Sequence, residues 1–284
     1  MGLILGTAIG ILKVILPQYA DTISRITKIS CISVICFIFL FSFFYIGILT
    51  FKQLKFSQFV IEELRNIGFS EKLHNELIKE LKKNSKKKDS TMYMTALNYL
   101  AIEANSHYDY QKVLELYSEV DVEKLSKALR IDSGKAPQNN VILFTNMCDL
   151  LFNSYYRLNM VSEADNLYKY FEKTYQYYIS KYAVLDPVLL EAKFMYLLTK
   201  GNFSEAREVL YSIKEKDALE CLLSFKTNSL ELDLIEGKLT IEEVNNTFDE
   251  CKSLIDEKSP VKAFHHQCMD NGRDLYLSKL NEVK

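Results

Sequence analysis

The sequence contains few of the residues that break helices. Of its 284 residues only 9 are glycine and 4 are proline. A β-sandwich or a barrel needs many turns, and turns depend strongly on glycine and proline. We therefore predict an all-α protein.

The chain also lacks the motifs of common enzymes. It has no GxSxG, no phosphate-binding loop and no HExxH, so esterase, nucleotide and metalloprotease chemistry have no support. His265 and Cys268 have the spacing of two metal ligands on one helix face, but no second such pair exists. The net charge of −2 gives no general attraction to nucleic acid. We predict no enzyme, no metal, no cofactor and no nucleic-acid partner.

The cysteines form neither a CxxC pair nor a dense framework. Cys31 and Cys36 lie in an apolar stretch, where a thiol packs like a small hydrophobic group. The others are widely spaced, at Cys148, Cys221, Cys251 and Cys268. This usage favours a reducing compartment, and an external domain held by disulfides is the alternative.

One long apolar segment is the clearest feature of the chain. Residues 29–51 read ISCISVICFIFLFSFFYIGILTF and carry no charge. As a helix the segment would be about 34 Å long, enough for a hydrocarbon core of about 30 Å. A helix also satisfies the backbone hydrogen bonds that lipid cannot. Because Arg25, Lys28, Lys52 and Lys55 flank it, we predict that it is the main transmembrane helix.

A second apolar stretch, residues 1–16, precedes this span. It would reach only about 24 Å as a helix, which is short of a full span. Its glycines line one helix face, where they would let another membrane helix approach closely: they are Gly2, Gly6 and Gly10. A two-helix hairpin, an interfacial helix and a signal peptide are the alternatives; the last fits poorly because no basic residue comes first. We predict that residues 1–55 form the membrane anchor and contact lipid. A transmembrane helix of another protein is a candidate partner of this anchor.

Residues 56–90 are predicted to form juxtamembrane helices and a lysine-rich linker. Apolar residues recur every three or four positions, Gly68 marks a break and Ser70 caps the next helix. The lysines are either a solvated linker or a contact to anionic lipid: they are Lys79, Lys82, Lys83, Lys86, Lys87 and Lys88. Lysines after the span and unpaired cysteines favour a cytoplasmic position for the C-terminal domain.

From residue 91 onward the pattern predicts pairs of helices joined by short turns. In the sequence GNFSEAREVL, we expect Gly201 to end the preceding helix by adopting a positive φ. Phe203 follows the turn, Ser204 is placed to cap the next helix, and Ala206 leaves room for a neighbouring helix to approach.

The same junction recurs along the chain. NMVSEA repeats it with Asn159 in the turn and Ala164 at the small position, Gly237 begins a weaker copy, and residues 107–111 are weaker still. The junction resembles the one between the two helices of a tetratricopeptide repeat, over about residues 91–256. The first helix of the family carries an aromatic residue and a small residue at two set positions. In this chain those positions hold Leu190 and Phe194, so the small residue is missing.

The resemblance implies an array of antiparallel helix pairs with a concave face that binds proteins or peptides. An irregular helical bundle without a groove is the alternative. The predicted pairs are 91–105 with 109–131, 139–158 with 161–182, 187–200 with 203–215, and 217–236 with 240–256, and a last helix, 260–281, caps the end of the domain 91–284.

Six tyrosines crowd one predicted helix of this array. They are Tyr168, Tyr170, Tyr175, Tyr177, Tyr178 and Tyr182. Tyr175, Tyr178 and Tyr182 share one helix face with Leu167 and Phe171, whereas Tyr170 and Tyr177 lie elsewhere. A helix that is apolar on two sides favours packing between neighbouring helices. A tyrosine-lined recognition groove is the alternative.

Together these features predict a membrane-tethered scaffold or adaptor whose helical-repeat domain binds another protein or peptide. A structural subunit of a membrane complex, joined through the glycine-lined first stretch, is one alternative. A membrane-bound enzyme without a recognisable motif is another.

Overall fold

The computed structural model describes residues 47–48, 51–88, 90–182, 185–214 and 218–282. The chain divides into two units, Met1–Phe59 and Val60–Lys284. In the first unit the described residues are helical. Gly2, Gly6 and Gly10, and all but three residues of the predicted span 29–51, lie outside the described residues. Among the residues that are described, no helix has the length and apolarity needed to cross a membrane.

The described part of the chain contains helices and no strand, which confirms the all-α prediction. In chain order the helices are α1 (51–66), α2 (Glu71–Lys83), α3 (Thr91–Ser106), α4 (Tyr110–Tyr117), α5 (Val122–Ala128), α6 (Gln138–Arg157), α7 (Val161–Tyr178), α8 (Asp186–Thr199), α9 (Phe203–Lys214), α10 (Leu219–Ile235), α11 (Ile241–Lys258) and α12 (Lys262–Glu282).

Each of the four repeated junctions has one residue in the left-handed region. The φ angles are 61° at Tyr108, 56° at Asn159, 70° at Gly201 and 67° at Gly237. In every case two backbone hydrogen bonds close the preceding helix; the Gly201 amide donates to the Leu198 carbonyl at 3.0 Å, and the next amide reaches one residue further back. This is the Schellman motif, which uses helix-end carbonyls that would otherwise be unpaired.

One predicted helix, 109–131, is wrong because the chain breaks it into α4 and α5. Helix α4 ends at Tyr117, and the side chain of Asp121 accepts a hydrogen bond from the Lys124 amide at 2.9 Å. An aspartate in this role caps a new helix start, since it satisfies an amide that has no partner within the helix. The hydrophobic period alone did not reveal this internal cap.

The predicted cap at Ser204 is also wrong. Helix α9 begins at Phe203, and its first helical bond runs from the Ala206 amide to the Asn202 carbonyl at 3.0 Å. Ser204 therefore lies within the first turn of α9. Helix α9 thus begins two residues earlier than a cap at Ser204 would place its start.

Helix α6 is the centre of the array and packs against α3, α4, α7 and α8. Its Phe144 and Phe152 are fully buried, as are Phe171 on α7 and Phe194 on α8. Burying a side chain of this size stabilises the fold by about 1.5–3 kcal/mol. The helices from α3 to α10 thus share one main apolar core, and two smaller apolar clusters join α10 to α11 and α12.

Helix α12 packs on α11, but it also reaches the opposite end of the array. The Asn271 side-chain amide donates to the Ser106 carbonyl at the end of α3, at 2.8 Å. The Gln267 side chain accepts from the Phe69 amide at 2.9 Å. At Gly272 a Cβ atom would lie 2.9 Å from the ring of Phe248, so the close approach of α12 to α11 depends on glycine.

Candidate ligand-binding cavity

A polar cavity of about 200 Å³ lies among the first helices of successive pairs and α12. Helix α6 contributes three of its polar side chains, Asp149, Asn153 and Arg157. They stand four residues apart, so they share one helix face. The other polar residues of the lining are Asn105, Tyr108, Tyr110, Glu191, Thr227, Asn228, Cys268 and Tyr276.

Two carboxyl groups of the cavity are held in conditions that favour their neutral form. Burial raises the pKa of Asp149 well above its usual value, and the charge of Glu191 raises it further. Burial also raises the pKa of Glu191, although hydrogen bonds from Ser224 and Asn228 oppose this rise. Among the described residues neither carboxyl has a cationic partner that would stabilise its charge, and this is the combination that raises a carboxyl pKa.

Several polar atoms of the cavity wall are buried without a hydrogen-bond partner among the residues that the structure describes. They are Oδ1 of Asp149, Oδ1 of Asn153 and Nε of Arg157. The Asn153 amide group does donate to Oδ1 of Asn105 at 2.7 Å, which fixes its orientation and leaves its oxygen free. An unpaired buried polar group costs about 1–3 kcal/mol, so each of these atoms calls for an explanation.

Beside the cavity, a buried ion pair joins α6 to α10. Arg157 donates two hydrogen bonds to the carboxylate of Glu231, at 2.6 and 2.9 Å. The hydroxyls of Tyr156 and Tyr276 donate to the same carboxylate at 2.8 and 2.9 Å. Burial would raise the pKa of Glu231, but Arg157 outweighs burial and lowers it to about 2. Glu231 is therefore ionised and holds α6, α10 and α12 together.

The tyrosines of α7 and the turn after it lie elsewhere. Tyr178 is fully buried, and its hydroxyl accepts a hydrogen bond from the Ala136 amide at 2.8 Å. Tyr168, Tyr170, Tyr175 and Tyr182 are half-buried against the main core. Tyr177 is the exposed member of the group. None of the six lines the polar cavity.

The residues of the repeated junctions serve the packing of helices and do not line the cavity. Ala164 and Ala206 are both completely buried at the starts of α7 and α9. Gly201 and Gly237 lie in exposed turns, and Phe203 is 40% exposed. Leu190 and Phe194 are both buried in α8.

His265 and Cys268 do not share a ligand. His265 lies 2.8 Å from the hydroxyl of Ser259, whereas Cys268 faces the cavity. Burial raises the pKa of Cys268 to about 12. Over the described ranges no group of three histidine, cysteine or acidic side chains is placed to hold a metal ion. Cys148, Cys251 and Cys268 are free thiols, and Cys221 is buried in α10.

Sequence reasoning missed the cavity because it followed the apolar positions. Asp149, Asn153 and Arg157 interrupt a helix whose other faces are largely apolar. Polar residues at a four-residue step on a central helix are a usable signal, since buried polar groups need partners. Asn105, Glu191 and Asn228 reach the same cavity only through the stacking of separate helices.

Comparison of the chain with protein-family models, with curated proteins and with solved structures gives no match. The cavity and the helical array are therefore the features from which a function can be inferred.

Proposed function

We propose that this protein is a membrane-tethered adaptor whose helical array binds a protein or peptide partner. The observation that carries the proposal is the cavity on the first helices of the array, with its unpaired Asp149 and Asn153 oxygens. A protein that keeps unpaired polar groups in a cavity loses stability, and a partner that supplies the missing hydrogen bonds restores it.

The recurring architecture supports a tetratricopeptide-like array. Left-handed turns at Tyr108, Asn159, Gly201 and Gly237 each separate two helices that pack together or against the next pair. The first helices α3, α6, α8 and α10 supply half of the residues that line the cavity, and α12 supplies most of the others. Repeat arrays of this kind present such a surface to extended partners.

The proposed anchor is residues 29–51, and local exposure is consistent with it. Phe51, the last residue of this segment, is 58% exposed, and Leu54, three residues further along α1, is 63% exposed. An adjoining lipid surface would cover these apolar side chains. We place the array on the cytoplasmic side, because lysines after the proposed span favour that side and free thiols persist there.

A structural subunit of a membrane complex is the second candidate. It is favoured by the four-residue spacing of Gly2, Gly6 and Gly10, which would let a second membrane helix pack closely. In that case the main contact would lie in the membrane segment, and the array would be secondary.

Purification of the full chain from its native membranes in mild detergent separates these candidates. We expect a soluble protein to co-purify, identified by mass spectrometry. A matched chain that ends at residue 90 should lose this partner, because the array is missing. Recovery of the same membrane protein with both chains, and of no soluble partner, would contradict the adaptor and support the structural subunit.

A further inference from the structure

The unpaired oxygens of the cavity identify what its ligand must supply. Within the described part of the chain, Oδ1 of Asp149 and Oδ1 of Asn153 are hydrogen-bond acceptors with no donor. Glu191, in the same wall, is a third acceptor group. From this arrangement we propose that the cavity binds the guanidinium group of an arginine side chain on the protein partner. That the arginine belongs to a protein partner rests on the proposed function, whereas the preference of the cavity for a guanidinium group does not depend on that function.

The charges that face the cavity favour a cation. Asp149 and Glu191 are acidic, and the positive charge of Arg157 is already paired with Glu231 in two hydrogen bonds. Lys279 adds a longer contact to the same Glu231 carboxylate, at 3.7 Å. When Asp149 and Glu191 ionise, their charge is therefore left to be compensated by a positive group from outside.

The neutral groups of the wall do not alter this balance. Burial raises the pKa of Tyr108 and of Tyr110, and also that of Cys268. These side chains are therefore uncharged near neutral pH. The tyrosine hydroxyls are further hydrogen-bonding groups for the ligand, and Asp149 and Glu191 supply the negative charge when they ionise.

The size of the cavity favours a single side chain. Its volume is about 200 Å³, whereas pockets for drug-sized ligands occupy about 300–1,000 Å³. A guanidinium carries five N–H donors in one plane and pairs with carboxylates in a defined geometry. An ammonium has three donors around a point, so it would satisfy fewer of the separated acceptors. The free Nε of Arg157 is then placed to donate to a backbone carbonyl of the same partner.

The binding should depend on pH in a defined direction. The folded, empty protein favours neutral Asp149 and Glu191 because burial raises their pKa values. A guanidinium binds the ionised carboxylates, so protons must leave as it enters. Affinity should therefore increase as the pH rises.

N-acetyl-L-arginine amide is the probe for this site, and N-acetyl-L-citrulline amide is its uncharged analogue of similar shape. We expect the arginine compound to bind the full chain in detergent micelles, measured by saturation-transfer NMR. The citrulline compound should bind at least about tenfold more weakly, because it lacks charge-assisted hydrogen bonds. Asp149→Asn should weaken arginine binding by a similar factor.

Asp132→Asn is the matched control, since Asp132 is exposed and outside the cavity. The affinity of this variant for the arginine compound should equal that of the unmodified chain.

Thermal unfolding shows whether Asp149→Asn still folds. The raised pKa means that the empty folded state loses stability as pH rises above the ordinary aspartate pKa of about 3.9. The asparagine variant escapes this loss, so its midpoint at neutral pH should be equal or higher.

Equal binding of the citrulline compound, or unchanged arginine binding in Asp149→Asn, would overturn the proposal. Recovery of a soluble partner from membranes without any binding of the arginine compound would also overturn it, while the adaptor function would stand. Selective binding of the arginine compound without a recovered partner would support guanidinium binding by the cavity and would contradict the proposed adaptor function.

Discussion

Replacing Glu231 with glutamine should lower the free energy of unfolding by about 3–5 kcal/mol. The Glu231 side chain is 4% exposed and that of Arg157 is 15% exposed. Glutamine keeps the shape but removes the negative charge, so Arg157 is left as a buried cation without a counter-ion. The hydroxyls of Tyr156 and Tyr276 also lose a charged acceptor. Chemical denaturation of the detergent-solubilised chain measures the loss.

The same variant should differ from the unmodified chain in acid. Arg157 outweighs burial and lowers the pKa of Glu231 to about 2, against about 4.3 for an unfolded glutamate. A lowered carboxyl pKa contributes stability that is complete above about pH 4.3 and is lost as the pH falls towards 2. Glu231→Gln should therefore lose less stability over this interval than the unmodified chain.

Glu119→Gln is the control for this experiment. Glu119 pairs with Lys88 at the surface, where the two side chains are 68% and 41% exposed. An exposed pair contributes little, so no measurable change is expected. Equal effects of the two substitutions would show that the Arg157–Glu231 pair is not buried in the folded protein.

The second large effect is expected at the small residues of the repeated junctions. Ala164 and Ala206 are completely buried at the starts of α7 and α9. Leucine at either position would add a branched side chain where helices are already in contact. Overpacking of this kind destabilises a protein by about 1–3 kcal/mol. The measurement is the midpoint of thermal unfolding.

Ala128→Leu provides the comparison, because Ala128 is exposed on α5. Leucine there removes no space from a packed interface, and both residues favour helices. The midpoint should stay within error of the unmodified value. Unchanged midpoints for both Ala164→Leu and Ala206→Leu would mean that these alanines do not lie in tight contacts between helices.

The sequence predicted those parts of the fold that depend on local chemistry. Gly201 and Asn159 mark turns because few other residues adopt a positive φ without strain. The cap of Ser70 on the Leu73 amide was predictable because a serine hydroxyl can accept a hydrogen bond from an amide of the first helical turn. The break between α4 and α5 was missed because the spacing of apolar residues continues across it. That spacing gives no information on a capping residue such as Asp121.

The cavity could not be predicted in full because it depends on contacts that are distant in the chain. Glu191 meets Asp149 only because α8 packs on α6. The last helix was predicted as an end cap, yet Asn271 bonds the carbonyl of Ser106 at the far end of the array. Gly272 gave no local signal, because its role is set by the Phe248 ring that approaches it.

Where the partner lies on the array is measured most directly by a photocrosslinking amino acid. Benzoylphenylalanine would replace Tyr110, which lines the cavity, or Tyr177, which is exposed on α7 away from it. Both are tyrosine positions, so the change in side chain is matched. We predict that irradiation of native membranes joins a soluble protein to the chain at position 110 and leaves position 177 unlinked. Crosslinking at 177 and none at 110 would contradict binding at the cavity face.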